Sequence, residues 1–452
     1  MSAEPNGEPA NADEQPKSIV KTTLHLLPFV IVFRAGEALL PWFLAFWFGR
    51  SHATDIYNFA WAVFLFAGSL IFSAYHDSAV VPILAEAKLR DPSSVRTITG
   101  SLLAYTWALG GALALAVAGL ALVWFRLRYE GDDFHAAALM VPAFAVQLVA
   151  LSTKTFFAAV LSAHHRFVPY PIASALGIAV TLAVIAVWRS SLGIVSVPLG
   201  AMLGEIAAAG MLGFVLLRHV GLVPKLTFER PEAVRRFASL VISEVSGNAV
   251  TRINPVVDQL MAGLAGVAGG ATLLRYSGDV ASLPTSAIQA TLLSVLLTHL
   301  ADHFAARDFV KLRRTVARAS WIVFGVLAVA GALLALFREP ILRLVFLHGQ
   351  MDEAGVLRMA HILPYHLVGL APFGVLLVMS RAHIAIQNSR IMFAMGIFNA
   401  GTNAIMNVVL VRFLGLEGIA LSTSCVHTAV AIVFVWLFVR KARRVGAPAE
   451  AT

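Results

Sequence analysis

Apolar runs recur along the entire chain, separated by short polar turns, and nothing else in the sequence restricts its fold as strongly. Crossing the hydrocarbon core of a bilayer takes about 20 apolar helical residues. Twelve segments meet that length: Thr22–Gly49, Ile56–Ala85, Thr97–Phe125, Phe134–Ala163, Val168–Trp188, Leu192–Leu217, Arg236–Leu264, Gly270–Leu300, Thr315–Phe337, Gly355–Met379, Arg390–Val411 and Glu417–Arg440. Only 13% of the 452 residues are charged, about half the usual share of a soluble domain. So little charge cannot cover a water-exposed body of this size. The expected fold is all-α and polytopic.

The cations test this map. With the N-terminus placed in the cytoplasm, 22 of the 34 Lys and Arg fall in cytoplasmic segments, eight fall on the opposite side and four lie inside spans. The bias holds along the chain, so both termini are expected in the cytoplasm. The net charge of +9 therefore reads as topology signals beside an anionic membrane, with no nucleic-acid partner. Residues 1–20, rich in Glu, Asp, Asn and Pro, read as a disordered cytoplasmic tail, and 441–452 as a second tail. The polar stretch 218–235, with Pro224 and Pro231, is read as a cytoplasmic linker between six-helix lobes at 21–217 and 236–440. Two equal halves suggest a transporter whose pathway lies between them.

Charges at bilayer depth are costly, at about 2.5–3.5 kcal/mol each at a helix centre. They cluster here: Arg34 and Glu37 in the first segment, His76 and Asp77 in the second, Lys154 in the fourth and Glu205 in the sixth. The seventh carries Glu244, Arg252 and Asp258, and the eighth Arg275 and Asp279. Pairing within a dry bundle would neutralise them. Their concentration in the first, second, seventh and eighth segments instead points to a hydrated cleft that admits a polar headgroup.

A second set of polar groups lies near the end. Asn403 and Asn407 share a helix face one turn apart, and Ser422, Thr423 and Ser424 follow on the next helix. With Asp258 they could supply oxygens to a hard cation of sodium size. Hydrogen bonding between helices is the competing use of such residues. Prolines at 41, 82, 142, 198, 255, 284, 364 and 372 interrupt the spans, permitting bends. The single cysteine, Cys425, excludes a disulfide framework within the chain. There is no Walker loop or dinucleotide fingerprint, so no enzyme activity and no organic cofactor are expected.

Several stretches, in order, resemble the MurJ/MviN lipid flippase family. They are FGRSHATDIYNFA (Phe48–Ala60) with VPILAE (Val81–Glu86), the segment Ile253–Pro284, VFLHGQM (Val345–Met351) and LGLEGIALSTS (Leu414–Ser424). The resemblance implies two six-helix lobes around a cationic cavity in the bacterial cytoplasmic membrane. It also implies alternating-access flipping of an undecaprenyl-diphosphate glycan such as a peptidoglycan precursor, with glycan-assembly enzymes as partners.

The family's diphosphate-holding arginines map only in part. Arg34 matches one, whereas Leu40, Gly68, Ser69 and Asp279 stand at other arginine positions. Arg252, Arg275, Lys154 and His76 are the available replacement anion ligands. The sodium site known in some members maps onto Asp258, Asn403, Asn407 and Thr423, with Asn407 at a carboxylate position. Two other readings stay open, a cation-coupled multidrug antiporter on the same fold and a non-transporting membrane scaffold.

Overall fold

The computed structural model describes residues 36, 39–71, 79–229, 231–238, 253–386 and 389–445. Among these there are helices and no strands. Helix α1 is Leu39–Phe48, α2 His52–Ile71, α3 Val81–Arg90, α4 Val95–Arg128, α5 Gly131–Ala163, α6 Pro169–Leu192 and α7 Ser196–Val215. These form the first lobe. After the linker come α8 (232–238), α9 Asn254–Leu264, α10 Gly270–Ala305, α11 Phe309–Leu336, α12 Arg338–Phe346, α13 Glu353–Leu367, α14 Leu370–Ala385, α15 Ser389–Leu414 and α16 Leu416–Val445.

Among the described residues, six helices are long and apolar enough to cross a membrane, or seven if the bent pair α13–α14 is one span. One of the six, Pro169–Val220, holds both the fifth and sixth expected segments. It turns at Gly193 (φ 54°), and its arms run antiparallel, with Gly177 facing Gly204 and Thr181 facing Gly200. A Cβ on Gly204 would lie 2.3 Å from the Gly177 carbonyl oxygen. The small residues are therefore what lets the two backbones approach. The Thr181 hydroxyl lies 2.9 Å from the Gly177 carbonyl and 3.2 Å from that of Gly200.

The expected spans not among these six helices or the bent pair are the first, second, seventh and eighth. The first, second and seventh are only partly described, and the eighth, α10, carries Arg275 and Asp279. These are the segments in which the sequence concentrates its intramembrane charge.

Proline is tolerated inside α5 (Pro142), α10 (Pro284) and α13 (Pro364). The sharp bend, 44°, lies between α13 and α14. Ser424 of α16 satisfies the polar groups freed there. Its hydroxyl donates to the Tyr365 carbonyl at 2.5 Å and accepts the Gly369 N–H at 2.9 Å. A Cβ on Gly369 would sit 2.5 Å from the Ser424 Cα, so only glycine allows this approach.

The turns define two ends. The end holding the α1–α2, α9–α10 and α12–α13 connections is poor in cations. The other, with the α3–α4 turn, the linker and the α10–α11 turn, is rich in them.

Candidate functional site

Where the lobes meet at the charge-poor end, backbone packs against backbone. Gly49 and Gly349 both adopt positive φ, 58° and 66°, a region that favours glycine. Each presses on the opposite lobe. A Cβ on Gly49 would lie 2.4 Å from the Gln350 carbonyl oxygen, and one on Gly349 would lie 2.1 Å from that of Phe46. The Gln350 N–H donates to the Phe46 carbonyl at 2.9 Å, and the Trp42 indole N–H donates to the Val345 carbonyl. The FG and HG pairs of the sequence are thus the two halves of one contact.

Side chains reinforce it. Arg50 binds Asp352 through two parallel bonds, Nε to Oδ1 at 2.7 Å and Nη2 to Oδ2 at 2.9 Å. The hydrogen bond from Arg50 is the largest cause holding the Asp352 carboxyl below its ordinary value.

One turn deeper, α2 meets α10. The Asp55 carboxylate accepts both the backbone N–H and the hydroxyl of Thr272, each at 2.8 Å. Asn58 donates to the Thr272 hydroxyl at 2.9 Å and accepts from Arg275 Nη1 at 2.5 Å. Asp55, Asn58 and Thr272 are all buried, and their mutual bonds offset the loss of water. The Arg275 guanidinium lies over the Trp61 ring, 3.8 Å from its centroid. Asp279, a turn further along α10, is 3.8 Å from Arg275 Nε, and its side chain keeps 44% of its surface accessible. Arg275 thus sits at the seam of the two lobes, with the partly accessible Asp279 a turn beyond it on α10.

At the charge-rich end, Arg236 of α8 reaches Glu86 of α3 at 2.8 Å. Lys225 N–H donates to the Arg96 carbonyl at 3.1 Å, and the Tyr105 hydroxyl to the Phe228 carbonyl at 2.8 Å, laying the linker on α4.

The sequence-derived set divides three ways. Arg34, Glu37, His76, Asp77, Glu244 and Arg252 lie outside the described residues. Arg275 and Asp279 stand together at the seam. Lys154, from α5, lies inside the first lobe on Glu205 of α7, Nζ to Oε2 at 2.7 Å, with 6% of its side chain accessible. Gly68 and Ser69, at two of the family's arginine positions, line a cavity of about 280 Å³ between α2 and α5 with Trp61, Gln147 and Thr155.

Of the second set, Asn403, Asn407 and Thr423 are brought to Asp258, while Ser422 bonds the Asn403 carbonyl and Ser424 the α13–α14 bend. Asp258 of α9 faces α15 and α16. Its Oδ1 accepts from Asn407 Nδ2 at 2.7 Å and Asn403 Nδ2 at 3.2 Å, and Thr423 Oγ1 lies 3.5 Å from its Oδ2. Asn403 and Asn407 are fully buried. Asn407 Oδ1 is buried without a hydrogen-bond partner, an arrangement that needs a reason. Rotating the two amides would turn oxygens toward Asp258, giving an all-oxygen donor set of the kind hard monovalent cations accept. Among the described residues no cluster of His, Cys, Asp and Glu suits a transition metal.

The sequence missed Asn58, Thr272, Asp55 and Trp61, and it did not pair Arg50 with Asp352. A neutral Asn one turn into an apolar span was the available signal.

Two helical lobes joined at the charge-poor end, with Arg275 and Asp279 at their seam, make an all-α protein with helices of membrane-crossing length. The sequence model of the family described as "Lipid II flippase MurJ" matches residues 44–450, and the chain belongs to that family, which places it in the bacterial inner membrane as a transporter and not an enzyme. It is 21% identical over 421 residues to the lipid II flippase MurJ of Burkholderia cenocepacia, covering 90% of this chain and 81% of that one. It is 27% identical over 217 residues to a probable lipid II flippase of Treponema pallidum, covering 48% and 41%. The chain therefore spans under half of the Treponema relative and most of the Burkholderia one. Its fold is similar to a lipid II flippase MurJ structure in an inward closed conformation (TM-score 0.74, 18% identity, 93% and 90% covered). It is similar also to an inward-facing multidrug transporter of the MATE family of the MOP superfamily (TM-score 0.80, 14% identity, 93% and 96% covered).

Proposed function

We propose that this protein flips a lipid-linked diphosphate glycan, a peptidoglycan or other polysaccharide precursor, across the cytoplasmic membrane by alternating access. The observation that carries the reading is the placement of Arg275. Among the described intramembrane cations it is the one at the seam of the two lobes, stacked on Trp61 of one lobe while belonging to the other. A phosphate entering the cleft would meet a guanidinium already oriented by Asn58 and held in low dielectric, where charge-assisted bonds are strong. Arg34, Arg252 and His76 would complete the cationic set.

The charge-rich end faces the cytoplasm in this reading, by the positive-inside bias. The headgroup then enters from the cytoplasm, where glycan-assembly enzymes supply it. Opening the Arg50–Asp352 end releases it outside. Asp258, Asn403, Asn407 and Thr423 would hold a sodium ion, which would neutralise the buried carboxylate and couple transport to the ion gradient. No bond is made or broken.

Asp279 at an arginine position favours one rival, an antiporter of cationic drugs. Proteoliposomes holding a fluorescent undecaprenyl-diphosphate glycan separate the two. Flippase activity predicts glycan transfer that falls at least about tenfold in Arg275→Ala. Transport of a cationic dye without glycan transfer would overturn the reading. Rescue of cells depleted of their lipid II flippase tests the peptidoglycan role.

A further inference from the structure

A long groove on the outer face of the second lobe belongs to neither the cleft nor the Asp258 site. It encloses about 710 Å³ between α11, α14 and α16. On α11 its lining runs Val310, Arg313, Arg314, Ala317, Trp321 and Phe324, a single stripe at three- and four-residue spacing. Val375, Met379 and Phe438 close the other walls. From Val310 to Phe324 the stripe is about 21 Å long at 1.5 Å per residue. One leaflet of a hydrocarbon core is about 15 Å deep, so the groove runs the depth of a leaflet.

Its charge is confined to one end. Arg313 and Arg314 stand one turn into α11 at the charge-rich end, both exposed. Among the described residues neither meets a carboxylate, whereas Lys311 beside them is held by Asp308 at 3.0 Å. The rest of the lining is apolar but for Ser320, whose hydroxyl is spent on the Val316 carbonyl at 2.8 Å.

We propose that this groove is a binding site for an anionic phospholipid of the bilayer, with its phosphate on Arg313 and Arg314 and an acyl chain lying along Ala317, Trp321 and Phe324. Paired arginines at the mouth of a leaflet-deep apolar groove match a molecule with one anionic head and a long tail. Basic pockets between transmembrane helices on the cytoplasmic side recognise such headgroups, and Arg forks suit phosphate geometry. The site lies on the lipid-facing side of the lobe and does not depend on the transported substrate.

The test is native mass spectrometry of the full-length chain in detergent, with phosphatidylglycerol, phosphatidylcholine or undecaprenyl diphosphate added in turn. Phosphatidylglycerol is expected to be retained over phosphatidylcholine. The double variant Arg313→Gln/Arg314→Gln is expected to weaken its binding roughly thirty-fold, to the phosphatidylcholine level. Ala317→Trp, which fills the groove, is expected to remove phosphatidylglycerol while both arginines remain. Thermal melting in phosphatidylcholine micelles checks that the variants are folded. Equal retention of the two phospholipids, or an unchanged double variant, would overturn the proposal. So would undecaprenyl diphosphate as the one lipid released by both variants, which would assign the groove to the substrate.

Discussion

Arg50 and Asp352 stand 302 residues apart in sequence and meet as a two-point fork across the charge-poor seam, at 2.7 and 2.9 Å. Their side chains keep 29% and 53% of their surfaces accessible, so solvent screens the pair and its net worth is at most about 1 kcal/mol. That is still about a fivefold change in an equilibrium between sealed and open forms. Arg50→Gln should therefore raise the open fraction by up to about fivefold. The swap Arg50→Asp/Asp352→Arg should restore part of the seal. The check is the labelling rate of a cysteine placed at Ser51, in a chain whose Cys425 is replaced by Ser. Equal labelling of wild type and Arg50→Gln would mean that the glycine contact alone closes this end.

The same pair fixes a pH response. Arg50 lowers the Asp352 carboxyl from its ordinary 3.8, so the sealed form gains its charge-pair stability above that value. The gain is lost as pH falls through the lowered one. Divided by the rate of a fully exposed cysteine at the same pH, which removes the thiol's own titration, labelling at Ser51 should stay flat from about pH 8 to about pH 5 and rise only in stronger acid. In Asp352→Asn the acid rise should vanish, leaving a uniformly higher rate. A titration centred near pH 6–7 would point to a histidine, not to this carboxylate.

The Asp258 group makes a separate prediction. If its oxygens receive sodium, the folded protein should melt higher in sodium chloride than in choline chloride. The gain should be about 1.4 kcal/mol at a tenfold excess over Kd. Asp258→Asn keeps the hydrogen bonds feasible but removes the charge, and the salt difference should disappear. Asn407→Asp restores a second carboxylate and should tighten sodium binding. Identical melting of wild type in the two salts would leave the quartet as interhelical hydrogen bonding.

What the sequence disclosed follows from which interactions are periodic and which are not. Span order, two lobes and the shared face of Asn403 and Asn407 were legible, because apolar length and one-turn spacing are local properties; that Asp258 and Thr423 join them is not local and leaned on the resemblance. Asn403 and Asn407 share a face whatever else the chain does. The Gly49–Gly349 contact was not legible, although both glycines lay in stretches singled out for resemblance, because nothing local says that two distant turns touch. Lys154 and Glu205 were each visible as intramembrane charges, but their pairing depends on α5 packing against α7, which periodicity does not specify. Asn58 and Thr272 escaped for the opposite reason. Neutral polar groups raise little signal in an apolar run, yet they position Arg275.

Lys154 therefore offers a last discriminating experiment. Its ammonium lies 2.7 Å from Glu205, with 6% and 21% of the two side chains accessible. Removing one member strands the other at bilayer depth, which for buried pairs costs about 3–5 kcal/mol. Lys154→Met should accordingly lower stability severely. The double variant Lys154→Met/Glu205→Leu replaces the pair with apolar volume and should recover most of the loss, since buried pairs often give little net stabilisation. Transport then separates two roles for the lysine. A lysine that serves only to neutralise Glu205 predicts a double variant that is stable and flips its substrate at the wild-type rate. A lysine that leaves Glu205 to meet the diphosphate during the cycle predicts a stable double variant with impaired flipping. The geometry places Lys154 inside the first lobe, so the expected outcome is recovered stability together with retained flipping.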